Sequence, residues 1–234
     1  MAKLTLLDIV QNILSALDSD PVNSIDDTVE SVQVADLVKE AYFELMSQRD
    51  WPFLRSLAAL EGLANLSTPT KMRMPESTNK VFWIKYNKKE VEWINPDDFQ
   101  ALIDNRVEQA GVVDANGYVT NRDPLYWTSF DDKYILFDGY NVLVDTTLQQ
   151  SKSVVYGTTA PTWTHVDTFV PNLPDKFFPT LLAEAKAQAF VNLKQQSNVR
   201  EERKAQRGRV IMQNESWRNE NGENKYNRKV NYGR

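Results

Sequence analysis

The chain has 234 residues, of which 41% are hydrophobic and 25% charged, and its formal net charge at pH 7 is −5. This composition is typical of a globular protein with one or two domains and a sizeable core. The absence of cysteine excludes disulfides, thiol catalysis and thiolate metal sites, and no run approaches the roughly 20 apolar residues of a transmembrane helix. Because Met1–Leu17 also lacks a signal-peptide pattern, we expect the protein to fold inside a cell.

The charge is divided unevenly along the chain. Residues 200–234 hold 10 Lys and Arg against 5 Asp and Glu, whereas residues 1–199 hold 17 against 27. A basic C-terminal segment on an acidic body favours binding to nucleic acid or to an acidic protein partner. A solvated helix end followed by a disordered tail explains the same composition.

Two helices are predicted near the N-terminus, because apolar residues recur there at intervals of three and four. The first spans Leu4–Leu17, with Thr5 as its candidate N-cap. The second spans Thr28–Arg49, with Arg49 in its last turn, and it ends before Pro52, whose ring disfavours helical geometry in the preceding residue. This second helix needs a partner for its apolar stripe, since an isolated helix is marginal in water.

The middle of the chain has short apolar segments that favour β-strands. The candidate strands lie at 71–74, at two places within 80–94 around a turn at Asn87–Lys89, and at 125–130, 133–139, 141–148 and 154–156. Asn95 and Pro96 are typical of the start of a short helix, which we expect to run to about Ile103. Gln109–Asp123 is rich in Gly, Asn and Asp and is predicted to be a surface loop.

A last helix opens near Pro179 and is predicted to continue to Arg207, with Gly208 costing about 1 kcal/mol relative to Ala. The predicted fold class is therefore α+β: a bundle of Leu4–Leu17, Thr28–Arg49 and Pro179–Arg207 with an inserted antiparallel β domain at Leu54–Asn172. The expected segments are helices at 1–53, the β-rich insertion at 54–172, one long helix at 173–212 and an extended tail at 213–234.

No pattern in the sequence points strongly to catalysis. The carboxylate pairs stand where turns and helix caps use acids, at Asp26/Asp27, Asp97/Asp98 and Asp131/Asp132. The one histidine, His165, lies in a Thr/Pro-rich connector without a nucleophile motif. A glycosidase with two distant carboxylates stays open, as does sugar stacking by Trp83, Trp93, Trp127 or Trp163, although packing is the commoner role of tryptophan. We predict no catalytic residue, no cofactor and no metal site.

The order of several short motifs is distinctive. The motifs are S-x-x-V-A-x-x-V-x-E-A-Y-x-E-L at Ser31–Leu45, W-P-F at Trp51–Phe53, M-P at Met74-Pro75, strand–Asp–strand spacing at Tyr126–Phe137, V-Y at Val155-Tyr156 and L-P-D at Leu173–Asp175 before an Ala-rich helix. Over residues 4–205 this order resembles the head-to-tail adaptors of tailed phages, the tail tubular protein A type of podoviruses and their relatives.

The resemblance implies a structural virion protein rather than an enzyme. It implies a homo-oligomeric ring, a dodecamer in similar proteins, at the head–tail junction, assembled in the host cytoplasm. The implied partners are the portal protein, the next tail component (a nozzle or tail tube) and genomic DNA that passes through the lumen without sequence-specific binding. An acidic body fits such a lumen, because it would repel phosphates and let DNA slide.

The resemblance also implies that the C-terminal segment reaches the portal. The candidate portal-binding residues are Trp217, Tyr226, Arg228, Lys229, Tyr232 and Arg234. A segment that orders only on contact gives up chain entropy, so it needs anchors that bury area and charges that find partners. The alternative function is a glycan-binding or glycan-cleaving phage tail protein that uses the Trp-rich β region.

Overall fold

The structure is a computed structural model that describes residues 3–144, 148 and 152–220. Within these residues the chain is a mixed α+β protein with five helices and an eight-stranded curled sheet, so the prediction of an α+β protein is confirmed. The chain divides into two compact units. We call residues 1–54 with 161–234 the helical unit and residues 55–160 the sheet unit.

The helices are α1 (Leu6–Ala16), α2 (Val29–Ser47), α3 (Pro96–Asp104), α4 (Phe178–Lys194) and α5 (Val199–Glu220). The strands are β1 (Arg55–Ala58), β2 (Glu61–Gly62), β3 (Lys71–Arg73), β4 (Thr78–Tyr86), β5 (Lys89–Trp93), β6 (Tyr126–Thr128), β7 (Tyr134–Phe137) and β8 (Ser153–Thr159). No helix in the described ranges is both long and apolar enough to cross a membrane.

Capping boxes start the first two helices of the helical unit. Thr5 accepts from the Asp8 N–H while the Asp8 side chain accepts from the Thr5 N–H, and Thr28 and Ser31 make the same exchange. The apolar faces of α1, α2 and α4 share one core, which also contains Trp51. The predicted contact of α2 with the helix that opens near Pro179 is thus present.

The prediction of one long C-terminal helix is wrong. α4 ends at Lys194, Gln195 takes a left-handed conformation, and α5 returns along α4. Asn198 starts the new helix, because its Oδ1 accepts from the Glu201 N–H at 3.3 Å. Asn followed three residues later by Glu is a local helix-start signal, so this second helix is encoded in the sequence.

Two further boundaries in the helical unit differ from the prediction. α5 passes through Gly208 and continues to Glu220, so residues 213–220 are helical rather than an extended tail. The reason is that Met212 and Ser216 lie buried on its inner face, which extends the packing. Arg49 lies beyond the end of α2 rather than in its last turn, and its Nη1 donates to the Gln213 carbonyl at 3.4 Å.

The sheet has the strand order β1-β8-β4-β5-β6-β7-β3-β2. All of its pairs are antiparallel except β5 with β6. A wholly antiparallel sheet was expected, but α3 and the loop after it connect β5 to β6, and a connection of this length permits a parallel pair. The predicted hairpin turn is confirmed between β4 and β5, where Asn87 and Lys88 both have positive φ, as a type I′ turn requires.

The strand predicted at 141–148 is absent from its described part. Residues 142–144 form a turn with exposed side chains, and Asn141 Oδ1 accepts from the Leu143 N–H at 3.1 Å. This Asx turn competes with strand pairing. Residues 145–147 lie outside the described residues.

A buried carboxylate organises the loop between α3 and β6. The side chain of Asp138 is fully buried, and its Oδ2 accepts from the Nη2 of both Arg106 and Arg122 at 2.8 Å. Its Oδ1 accepts from the backbone N–H groups of Leu125 and Tyr126 at 2.8 and 2.9 Å. Asp138 thus fixes one long loop to the sheet.

Candidate interaction surfaces

Of the six predicted portal-binding residues, only Trp217 lies in the described part of the chain. It belongs to α5 and exposes 53% of its surface. The other five, at positions 226, 228, 229, 232 and 234, lie outside the described residues.

The outer face of α5 carries a mixed stripe, which we call the α5 stripe. It consists of Arg203, Arg207, Val210, Ile211 and Trp217, which recur at helical spacing on the side opposite the buried residues of α5. Val210 and Ile211 expose 51% and 62% of their surfaces. An exposed apolar row on a helix face that also carries Arg203 and Arg207 is suited to contact with a partner that has apolar and acidic groups.

Ion pairs on the inner side fix the rotation of α5. Arg209 pairs bidentately with Glu184 of α4, with Nε to Oε2 at 2.9 Å, and lies 3.5 Å from Glu44 of α2. The hydrogen bond to Glu184 raises the pKa of Arg209. Lys176 pairs with Glu215 further along the helix. These contacts keep the α5 stripe turned away from the core.

The sheet unit presents a second surface, which we call the aromatic–cation face. It consists of Phe82, Trp83 and Tyr156 with Leu57, Val154, Arg55, Lys80 and Lys85. The Tyr156 ring centroid lies 5.5 Å from that of Phe82 and 5.4 Å from that of Trp83. Of these residues, the sequence suggested an interaction role only for Trp83, because the members of the face are brought together only by pairing of β1, β8 and β4.

Strand register explains why these side chains share one face. Leu57 lies opposite Tyr156, and Tyr156 lies opposite Trp83, so all three project from the same side of the sheet. Their neighbours Val155 and Ile84 project to the other side and are buried in the core of the sheet unit.

A register shift in β4 adds Phe82 to the aromatic–cation face. The shift lies between Val81 and Trp83 and places an extra residue on β4 relative to β8. Gly157 of β8 lies across from it, and a Cβ there would overlap the Lys80 carbonyl oxygen. Glycine is therefore needed for the close approach of the two backbones.

Each cation of this face lies against an aromatic ring. The Arg55 guanidinium carbon is 4.9 Å from the Phe82 centroid, and Lys80 Nζ is 5.7 Å from it. Lys85 Nζ is 4.6 Å from the Trp83 centroid. Cation–π contacts of this kind hold the charges at the surface in fixed positions.

The other tryptophans proposed for sugar stacking differ in exposure. Trp93 exposes 56% of its surface and lines a groove of about 420 Å³ together with Asn79, Ser129 and Asp132. Trp127, on the same groove, is 7% exposed. Trp163 belongs to the helical unit, where its ring packs 4.8 Å from that of Phe169.

The remaining candidates for chemistry have structural contacts. Asp131 Oδ1 accepts from the N–H groups of Lys133 and Tyr134, and the Tyr134 bond is the main reason that the pKa of Asp131 is lowered. His165 Nε2 lies 3.6 Å from Asp26 at the surface. The described residues contain no group of three or more His, Asp or Glu side chains placed to hold a metal ion.

Comparison with known proteins assigns no family to this chain. No protein-family model matches the sequence, and a search of curated proteins gave no significant match. A function therefore has to be inferred from the residues of the two surfaces described above.

Proposed function

We propose that this protein is a structural virion protein, a head-to-tail adaptor that forms a ring between the portal and the tail. In this proposal the ring is a dodecamer that also meets a nozzle or tail tube protein, and genomic DNA passes through its lumen. The acidic body, with a net charge of −10 over residues 1–199, would repel phosphates there.

The observation that carries the proposal is the α5 stripe. α5 is held to α4 by the bidentate Arg209–Glu184 pair, yet its outer side exposes Val210, Ile211 and Trp217 directly before the basic segment 218–234. Apolar side chains in a row on an exposed helix face indicate a protein contact. An exposed tryptophan at its end is the type of residue that dominates binding energy at interfaces.

The division of the chain supports the architecture that the resemblance implies. Both terminal parts belong to one unit, and the middle part, 55–160, is the other. We propose that the helical unit is the bundle of such an adaptor, that the sheet unit is its inserted domain, and that the residues after α5 extend to the portal.

Deletion of residues 218–234 tests the proposal. The deletion leaves Trp217 and the core in place, so the melting temperature of the free protein is expected to stay nearly unchanged. Docking onto portal-bearing capsids that lack a tail should weaken, and salt should weaken docking of the intact protein, because the deleted segment is basic. A variant with residues 218–234 in scrambled order keeps the charge and length of the segment. It therefore separates the effect of the charge from the effect of the residue order. Equal docking of the deleted and intact proteins would contradict a role for the tail.

Trp217→Ala tests the stripe itself. Loss of an interface tryptophan should weaken docking by roughly 30-fold, the effect of about 2 kcal/mol at a hot spot. Trp93→Ala, which removes a tryptophan of similar exposure from the sheet unit, is the matched control and should dock normally. Failure of the intact protein to bind portal at any concentration would overturn the adaptor proposal.

A second candidate function is glycan binding, favoured by the groove beside Trp93. An exposed indole next to Asn79, Ser129 and Asp132 offers a stacking face and hydrogen-bonding groups for a sugar. Retention of the intact protein on a polysaccharide column, lost in Trp93→Ala and kept in Trp217→Ala, would favour this candidate over the adaptor.

A further inference from the structure

The aromatic–cation face combines exposed apolar side chains with fixed positive charges. Leu57 exposes 64% of its surface, and Phe82 and Val154 expose 38% and 37%. Arg55 and Lys80 flank Phe82, and Lys85 covers Trp83. Strand pairing places Glu90 opposite Lys85, so the three cations stand beside one carboxylate. The face is suited to a partner that brings apolar groups together with carboxylates.

Protein fits these requirements better than nucleic acid does. Unpaired bases would need free ring faces for stacking, but Trp83 already contacts both Tyr156 and Lys85, and Phe82 lies against Arg55. Duplex DNA offers phosphates but nothing apolar for Leu57 and Val154. An acidic protein surface with an apolar centre satisfies both halves of the face.

The chain itself carries such a surface on α2. Residues 1–54 hold 3 Lys and Arg against 10 Asp and Glu. Asp36, Glu40 and Glu44 follow one another at intervals of four on the exposed side of α2, and they border a shallow recess that the half-buried Phe43 also lines. We call these four residues the acidic α2 face. Lys39 lines the same recess, and Glu44 also lies 3.5 Å from Arg209 and accepts from Gln188, so Asp36 and Glu40 are the carboxylates on which the argument depends.

We infer that the aromatic–cation face of one copy docks on the acidic α2 face of a second copy. The two surfaces consist of different residues, so the contact is heterologous, and repeated heterologous contacts that close generate a ring. The inference rests on the proposed function for its biological setting, because it names the contact between neighbours in the adaptor ring. It also accounts for the basic patch on a chain whose first 199 residues are acidic overall.

Reciprocal charge reversal tests the contact. One variant carries Lys80→Glu and Lys85→Glu, and the other carries Asp36→Lys and Glu40→Lys. Each variant alone should assemble roughly 10-fold more weakly than the wild type or worse, because like charges then face each other. Mixed in equal amounts the two variants should assemble again, since the reversed face of each one complements a face of the other. In a ring with an even number of subunits the two variants can alternate, so that every contact joins faces of opposite charge.

The readout is mass by analytical ultracentrifugation over a range of protein concentrations, alone and on portal-bearing capsids. Lys71→Glu with Lys133→Glu changes the net charge of the sheet unit equally but leaves the aromatic–cation face intact, so it should assemble as the wild type does. Circular dichroism and melting temperature check that each variant is folded.

The outcomes separate the inference from the proposed function. If the wild type assembles on portal and both reversed variants do so equally well, the docking inference is wrong and the adaptor proposal stands. If the wild type ignores portal but self-associates, with rescue by mixing, the inference stands and the adaptor proposal fails. Loss of assembly that mixing does not rescue would also overturn the inference.

Discussion

The helical unit and the sheet unit are stabilised in different ways. In the helical unit the apolar faces of α1, α2 and α4 form one core that includes Trp51, and a buried carboxylate, Glu184, pairs with Arg209 to join α4 to α5. In the sheet unit the strands have two to nine residues, and a fully buried carboxylate, Asp138, fixes the loop between α3 and β6.

This difference shows what short strands and a long loop require. A helix satisfies its own backbone groups, so apolar packing suffices to hold it. The residues between α3 and β6 are held by isolated bridges and turn hydrogen bonds rather than by a strand ladder, and the N–H groups of Leu125 and Tyr126 are satisfied by the side chain of Asp138. Asp138 provides four hydrogen-bonding contacts to that region, which a hydrophobic residue of the same size could not do.

The largest effect is expected from Trp51→Ala in the helical unit. Trp51 is 1% exposed, and its Nε1 donates to the Leu45 carbonyl at 2.9 Å. Its removal leaves a cavity and should lower the free energy of unfolding by about 5 kcal/mol, as measured by urea denaturation. Val29→Ala, at a position that is 77% exposed, should change stability by less than about 0.5 kcal/mol. A small effect of the tryptophan change would mean that the core is less well packed than described.

Asp138→Asn should lower the free energy of unfolding by about 3 to 4 kcal/mol, because it leaves the Arg106 and Arg122 guanidinium groups without their buried counter-charge. Amide hydrogen exchange should show reduced protection of residues 105–140, while α1 and α2 keep their protection. Glu76→Gln breaks the exposed pair with Arg73 in the same unit and should cost at most about 1 kcal/mol. Equal effects of the two changes would refute the role given to the buried carboxylate.

Gly208→Ala tests how closely α5 approaches α4. A Cβ at position 208 would lie 2.9 Å from Thr180 Cβ and closer still to its Cγ2 and Oγ1. Overpacking should lower the free energy of unfolding by about 2 kcal/mol, whereas the higher helix propensity of alanine should raise it by about 1 kcal/mol, so the net effect is destabilising. Adding Thr180→Ala removes the two closest atoms, Oγ1 and Cγ2, but keeps the Cβ, so it should recover part of the loss. Stabilisation by Gly208→Ala alone would contradict the close approach.

The smallest effect concerns the capping box of α1. The hydrogen bond from the Thr5 side chain, followed by that from the Thr5 backbone, lowers the pKa of Asp8 from its ordinary value of 3.8. The ionised carboxylate therefore contributes stability above pH 3.8, and the contribution disappears as the pH falls through the lower folded-state pKa. Asp8→Asn should cost about 0.5 kcal/mol at pH 7, since the group is exposed.

The measurement is the free energy of unfolding of wild type, Thr5→Ala, Asp8→Asn and the double variant between pH 2 and 7. The coupling between the two positions should decline only below pH 3.8. A coupling that is constant over this range would show that the charge of Asp8 is not involved.

Local pattern alone predicted the parts of the fold that depend on neighbouring residues. The caps at Thr5 and Asn95 and the hairpin turn at Asn87-Lys88 were predicted correctly, because a capping oxygen and a type I′ turn act within a few residues. The apolar spacing of α1 and α2 also predicted which residues are buried. The break between α4 and α5 was missed, although Asn198 and Glu201 signal it.

For the candidate surfaces, the sequence by itself determined the basic character of the segment after residue 200, and it suggested Trp217 as a candidate contact residue. Only the tertiary structure decided that Leu57, Phe82 and Tyr156 share one face and that Asp138 meets two arginines. The physical reason is that strand register and chain reversal join residues tens of positions apart, and each pairing depends on which apolar surfaces can be buried together.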